Sequence, residues 1–112
     1  MKKVYNKLIR DKIPEIIVAD NCQPKIRVLK KSEMLTELKK KVLEESKELF
    51  ESDKKSEIIN ELADILELID AIAENINIET KLLKTEQRVK RQKRGGFKNR
   101  LFLEYVIENK KC

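Results

Sequence analysis

The sequence KKVLEESKELFESDKKSEIINELADILELIDAI, residues 40–72, decides the fold of this chain. Its apolar residues recur every three or four positions, which predicts two amphipathic helices, and ESDKKS between them supplies turn and cap residues. Because this connection is short, we expect the two helices to be antiparallel neighbours. Acidic residues fall inside the apolar pattern of both helices rather than opposite it. The seam between the helices is therefore predicted to contain carboxylates.

The composition of the whole chain is typical of a mostly helical domain. The 112 residues are 40% hydrophobic and 41% charged, with only 2 glycines, 2 prolines and 4% aromatic residues, which favours helices over a turn-rich β-sandwich. This length suits a single core, so we predict one domain over residues 1–112. The net charge of +6 combines 26 basic with 20 acidic residues, so the location of the charges matters more than their sum.

Several kinds of site are disfavoured by the residue types that the chain lacks. It contains no histidine, and its two cysteines, Cys22 and Cys112, lack metal-ligand spacing, which argues against a zinc site and against a histidine-based nucleophilic triad. A bound metal would instead be held by oxygen. No window approaches about 18 apolar residues, and the N-terminus lacks a long apolar segment. We therefore expect neither a signal peptide nor a membrane span, and predict a cytoplasmic protein.

Helix signals divide the chain into four helical segments. They are a short helix that opens near Asp11 and Pro14, two long helices that open at Ser32 and Ser56 and reach about Glu51 and Glu74, and a last helix from about Glu79 to Lys93. We expect the last helix to end at Gly95 and Gly96, since glycine commonly follows a helix C-terminus.

Two further stretches are typical of short strands. KIRVLK, residues 25–30, alternates polar and apolar residues, and so do the residues from Leu101 to Ile107 within FKNRLFLEYVIENKK, although a helix fits the second stretch almost as well. The two strands could pair as a minor β-hairpin formed by the terminal segments.

Two pairs of acidic residues stand out when the long helices are projected at about 100° per residue. Glu45 projects into the apolar arc of the first helix and Glu48 lies at its edge, while Glu61 lies within the margin of the second arc and Asp64 just beyond it. In a chain with 20 acidic residues, solvated side chains at a helix boundary are the plain alternative for one such pair. Two pairs on adjacent helices make that alternative weaker.

Antiparallel packing would bring these four carboxylates together. Like charges repel and are costly to remove from water, so the cluster needs protons or a cation to persist. A hard divalent cation takes oxygen ligands and leaves room for the phosphate oxygens of a substrate. The sequence therefore predicts Mg²⁺, with Mn²⁺ as an alternative.

Four segments of the chain carry a resemblance to a known family. LEESKEL (residues 43–49) and ELADILEL (residues 61–68) resemble the ExxE and ExxD pair of the MazG-like all-α nucleoside triphosphate pyrophosphohydrolases. YNKLIRDKIPEII (residues 5–17) and KRGGF (residues 93–97) are similar to the start and end signatures of the small phosphoribosyl-ATP pyrophosphohydrolase-like, or house-cleaning, branch. Together they span almost the whole chain.

The resemblance implies an all-α bundle of four to five helices, assembled as a homodimer or homotetramer. It implies Mg²⁺ held by Glu45, Glu48, Glu61 and Asp64, and hydrolysis of the bond between the α and β phosphates to a nucleoside monophosphate and pyrophosphate. Cleansing of non-canonical nucleotides is the favoured role. Hydrolysis of phosphoribosyl-ATP in histidine biosynthesis is the alternative.

The reaction also requires a base and cations. Without histidine, the base would be a carboxylate, for which Glu44 and Glu45 are candidates, or a metal-bound hydroxide. A triphosphate needs cationic partners. The candidates are Arg94, Lys98 and Arg100 around the Gly95-Gly96 turn, and Arg10 and Lys12 near the N-terminus, although each could equally be a solvated surface charge.

Two rival functions remain from other classes. The basic run of residues 88–100 could follow a nucleic-acid backbone, but aromatic residues are scarce near it and no helix-turn-helix or RNA-binding motif is present. A helical scaffold without activity is the other rival. Both leave the acidic seam unexplained, so we do not expect a nucleic-acid partner.

Overall fold

A computed structural model describes residues 1–108, and this range contains four α-helices and no β-strand. The helices are α1 (Ile13–Ala19), α2 (Lys31–Glu51), α3 (Lys55–Asn75) and α4 (Thr80–Arg94). The predicted all-α class is confirmed. The helices α2, α3 and α4 begin and end within about one residue of their predicted bounds, and α1 begins two residues after the predicted Asp11.

The predicted β-hairpin is wrong for the part of the chain that the structure describes. Residues 25–30 and 101–107 lack regular secondary structure, strand or helix. Alternation favours a strand only where one face becomes buried, and here Val28 is 93% exposed and Leu101 89% exposed. Residues 109–112, where the second predicted stretch ends, lie outside the described residues.

The chain divides into two compact units, Met1–Glu79 and a second unit that begins at Thr80. In the first unit, α2 and α3 form an antiparallel hairpin joined by residues 52–54. Each helix has 21 residues, which corresponds to about 30 Å. Leu38 of α2 and Leu68 of α3 are buried in the hairpin, because both lie on its apolar seam. The candidate site lies in this seam.

Local hydrogen bonds fix the ends of α2. At its start, the backbone N–H of Lys30 donates to Glu33 Oε1 at 2.9 Å, and Arg27 donates to both carboxylate oxygens of Glu33 at 3.1 and 3.0 Å. These bonds lower the pKa of Glu33 to about 2, the Arg27 bond most of all. At the end, the Ser52 hydroxyl donates to the carbonyl oxygen of Glu48 at 2.7 Å. The helix begins one residue before the predicted Ser32.

The N-terminal residues lead into α1, which begins at Ile13 with Pro14 in its first turn, as proline in that position is expected to do. Lys12, rather than the predicted Asp11, is the capping position. After the helix, Asn21 adopts the left-handed conformation with a φ of 62°, which asparagine tolerates better than most residues.

The second unit contains α4 and the residues after it. The helix ends at the predicted glycines: Gly95 has a φ of 82°, and its N–H donates to the carbonyl oxygen of Arg91 at 2.8 Å. This is a left-handed cap, which glycine adopts without a steric penalty. Across the described residues of both units, no helix combines the length and the apolarity that a membrane crossing requires.

Candidate metal centre

The acidic residues of the hairpin meet in its seam as two overlapping triplets. Glu45, Glu61 and Asp64 each place a carboxylate oxygen within 4.8 Å of the others, and so do Glu44, Glu45 and Glu48. We call these five residues the acidic cluster. The structure thus brings together the four predicted metal ligands and the predicted base Glu44, with Glu45 common to both triplets.

The helix register explains why carboxylates occupy the seam. Glu45 lies seven residues after Leu38 on α2, and Glu61 lies seven residues before Leu68 on α3. Seven residues are two helical turns, about 10 Å along the same face. The glutamates therefore occupy the positions that the next layer of leucines would fill.

Two carboxylate oxygens of this layer have no partner. Glu45 is only 8% exposed, and Glu45 Oε2 and Glu61 Oε2 are both buried without a hydrogen bond. Leaving such an atom unsatisfied costs on the order of 1–3 kcal/mol, so an unpaired buried polar atom calls for a physical explanation. A proton or a bound cation would supply the missing partner.

The pKa of Glu45 reflects the same surroundings. Burial raises the pKa of this carboxyl to about 8, and the neighbouring carboxyls of Glu61 and Glu48 and the charge of Asp64 raise it further in the same direction. This shift favours the protonated form of Glu45 at neutral pH in the absence of a cation. A cation that binds to this oxygen must displace the proton.

Two cations of the N-terminal segment contact the cluster. Arg10 Nη2 donates to Asp64 Oδ1 at 2.7 Å, and Lys7 Nζ donates to Glu44 Oε1 at 3.3 Å. The sequence predicted Arg10 as a phosphate ligand but not its pairing with an acidic residue of the site. The signal that could have indicated it is the spacing of Lys7 and Arg10, which flank the apolar pair Leu8-Ile9.

The other predicted phosphate ligands are Lys12 of the first unit and three residues of the second unit. Lys12 precedes α1 and forms no ion pair with any described residue. Arg94, Lys98 and Arg100 belong to the second unit, where all three are exposed. Arg100 adopts a left-handed conformation with a φ of 58°. Their role as phosphate ligands stays a prediction.

An open cleft of about 390 Å³ lies at the edge of the cluster. The last turn of α2 and the first turns of α3 line it, and Glu48, Asn60 and Glu61 are among its residues. Four glutamates contribute to this lining. A phosphate group would therefore be repelled from the cleft unless a cation lay between it and the carboxylates.

The donor set fits a hard divalent cation. Every member of the acidic cluster offers carboxylate oxygen, the ligand type that Mg²⁺ and Mn²⁺ prefer. Two of these oxygens are already buried and unpaired.

The chain was also compared with known proteins, and no protein-family model, curated protein or solved structure matches it.

Proposed function

We propose that this chain is a Mg²⁺-dependent nucleoside triphosphate pyrophosphohydrolase that removes non-canonical nucleotides from the cytoplasmic pool. The observation that carries the proposal is the acidic cluster, in which Glu45 is buried and two carboxylate oxygens have no partner. Unpaired buried oxygens destabilise a core that serves only folding. A site that binds a metal uses such oxygens as ligands.

The reaction is a hydrolysis of the phosphoanhydride between the α and β phosphates. Water adds to phosphorus, the bond to the bridging oxygen breaks, and pyrophosphate leaves the nucleoside monophosphate. The bound metal would supply charge neutralisation on the phosphate oxygens and a more acidic water. Everything else required of the protein is positioning and one proton acceptor.

Glu44 and Glu45 suit different roles. Glu45 is buried at the point that both triplets share, so we assign it, with Glu48, Glu61 and Asp64, to hold the metal. The side chain of Glu44 is 38% exposed and lies in one triplet only. This partly exposed position at the edge of the cluster suits Glu44 to accept the proton of the attacking water.

Cationic side chains complete the proposal. Arg10 lies at the cluster and is suited to bind phosphate oxygens through its planar guanidinium group. We propose Lys12, Arg94, Lys98 and Arg100 as further phosphate ligands on the strength of their charge and of the motifs they belong to.

We further propose that the chain forms a homodimer, or a homotetramer built from it. On α3, Leu62, Leu66 and Ile69 are 47%, 59% and 40% exposed, at three- and four-residue spacing. Two copies of the same helix can match such a stripe. Light scattering would show a single-copy mass if this proposal is wrong, and Leu66→Glu should convert an oligomer to single copies.

The test of the activity is pyrophosphate release from a panel of canonical and damaged nucleoside triphosphates, with and without Mg²⁺. We expect metal-dependent release that Glu61→Gln lowers about 100-fold or more, since the substitution removes a charged ligand. Glu67→Gln is the matched control, because Glu67 is an exposed glutamate of the same helix and lies outside the acidic cluster. Equal rates for the two variants would refute the site.

The panel also separates the alternatives. If no triphosphate is cleaved but phosphoribosyl-ATP is, the reaction class stands and the pathway becomes histidine biosynthesis. If neither is cleaved, nucleic-acid binding becomes the favoured function, because α4 carries Arg91, Lys93 and Arg94 in its last turn. Salt-dependent binding of RNA or DNA would then favour the nucleic-acid function.

A further inference from the structure

Lys7 and Arg10 each engage one of the two triplets of the acidic cluster. Arg10 pairs with Asp64, a member of the triplet on the α3 side, at 2.7 Å. Lys7 pairs with Glu44, a member of the α2 triplet, at 3.3 Å. The N-terminal segment thus supplies one positive charge to each half of the cluster, across 54 and 37 residues of sequence.

The backbone of this segment is held by a hydrogen bond and by half-buried neighbours, whereas the side chains of Lys7 and Arg10 are exposed. Leu8 and Ile9 are half-buried between the two cations, and the N–H of Ile13 donates to the carbonyl oxygen of Arg10 at 3.0 Å, which ties the segment to α1. The side chains of Lys7 and Arg10 remain 42% and 54% exposed. Both side chains can change partners while the backbone stays in place.

Arg10 and a bound metal would compete for the same carboxylate group. Asp64 Oδ1 accepts the guanidinium bond, and Asp64 is one of the predicted ligands. A half-exposed ion pair is weak and is screened by solvent, so a divalent cation bound by several carboxylates can displace it. Guanidinium also matches phosphate geometry, through two parallel hydrogen bonds.

We propose that Arg10, assisted by Lys7, is an exchangeable counter-ion of the acidic cluster. Before the metal binds, Arg10 neutralises Asp64. Metal binding displaces its guanidinium group, which then contacts the phosphate oxygens of the incoming substrate. This inference rests on the proposed function, and adds to it which group occupies the site beforehand and where that group goes.

The experiment measures two affinities that should change in opposite directions. Mg²⁺ alone is titrated calorimetrically into wild type, Arg10→Gln and Arg27→Gln. Arg27 is the matched control, because it forms an exposed arginine–carboxylate pair of similar length with Glu33, outside the cluster. We expect Arg10→Gln to bind Mg²⁺ about twofold to fivefold more tightly than wild type, the range that an exposed ion pair allows, and Arg27→Gln to match wild type.

Inorganic tripolyphosphate is then titrated into the Mg²⁺-saturated proteins. Here Arg10→Gln should bind about tenfold more weakly, since a charge-assisted hydrogen bond to phosphate is lost, and Arg27→Gln should again match wild type. Circular dichroism checks that each variant is folded. Arg10→Lys is the second variant: it keeps the charge, so its Mg²⁺ affinity should stay near wild type while tripolyphosphate binding weakens.

The outcomes separate this inference from the function beneath it. If wild type binds Mg²⁺ and Arg10→Gln binds it equally or more weakly, the counter-ion exchange is wrong and the proposed function stands. Unchanged tripolyphosphate affinity in Arg10→Gln likewise overturns the exchange. If wild type binds no Mg²⁺, the metal site and the exchange both fail.

Discussion

Replacing Glu45 by glutamine should make the metal-free protein more stable at neutral pH and remove most of the pH dependence of its stability. The substitution keeps the shape of the side chain but takes away a carboxyl whose pKa burial raises to about 8. In the unfolded chain the same carboxyl ionises near its ordinary pKa of 4.5. Between these two values, the folded state binds a proton that the unfolded state has released.

The sign and size follow from proton linkage. Where the folded state binds more protons, stability falls as pH rises, by about 1.4 kcal/mol per pH unit for a whole proton. From pH 5 to pH 7, wild type should therefore lose about 2 to 3 kcal/mol of unfolding free energy. Glu33, whose pKa is lowered to about 2, acts with the opposite sign and only below about pH 4.5. The chain has no histidine to titrate in this window.

The assay is urea unfolding followed by circular dichroism, at fixed protein concentration and in the presence of a chelator, from pH 5 to pH 9. Wild type and Glu67→Gln should lose stability up to about pH 8 and then level off. Glu45→Gln should stay nearly flat, and exceed wild type at pH 7 by about 2 to 3 kcal/mol. A flat wild-type profile, or an equal slope in Glu45→Gln, would refute the description of Glu45 as a buried, uncompensated carboxyl.

Three further predictions concern the metal, the core and a cap. Mg²⁺ binding at pH 7 should release about one proton from wild type, which calorimetry in two buffers of different ionisation enthalpy would measure. Binding without proton release would contradict the protonation of Glu45. Leu38→Ala should lower the unfolding free energy by about 2–5 kcal/mol, because the 2% exposed side chain leaves a cavity, and a loss below about 1 kcal/mol in urea would count against a buried seam. Gly95→Ala should shorten α4 or destabilise its end by about 1 kcal/mol, since a φ of 82° is strained for a residue with a Cβ. The rate of amide hydrogen exchange near Arg91 should rise, and an unchanged rate would argue against this cap.

The helices and the acidic pairs were predictable because they are local properties of the sequence. Residues three and four apart share a helix face whatever the rest of the chain does. The placement of Glu45 on the apolar face of α2, and of Glu61 at the margin of that of α3, therefore followed from spacing, and the three-residue connection made the two faces meet. Gly95 likewise ended α4 where glycine was expected to end it.

The strands failed because alternation is a weaker signal. A polar–apolar pattern becomes a strand only when a partner strand takes up its hydrogen bonds and a core covers its apolar face. Within residues 1–108, neither 25–30 nor 101–107 has a strand partner. The sequence of these stretches alone does not show whether a strand partner is present.

The sequence by itself determined that carboxylates lie within the seam of a helical hairpin, since helix periodicity and a short turn leave little freedom. Only the tertiary structure decided which cationic side chains pair with these carboxylates. Arg10 pairs with Asp64, and Lys7 pairs with Glu44, across 54 and 37 residues of sequence, and the half-buried Leu8 and Ile9 lie between these two cations in the N-terminal segment. The burial that raises the pKa of Glu45 is equally a property of the assembled hairpin, because water leaves a side chain only when a second surface covers it.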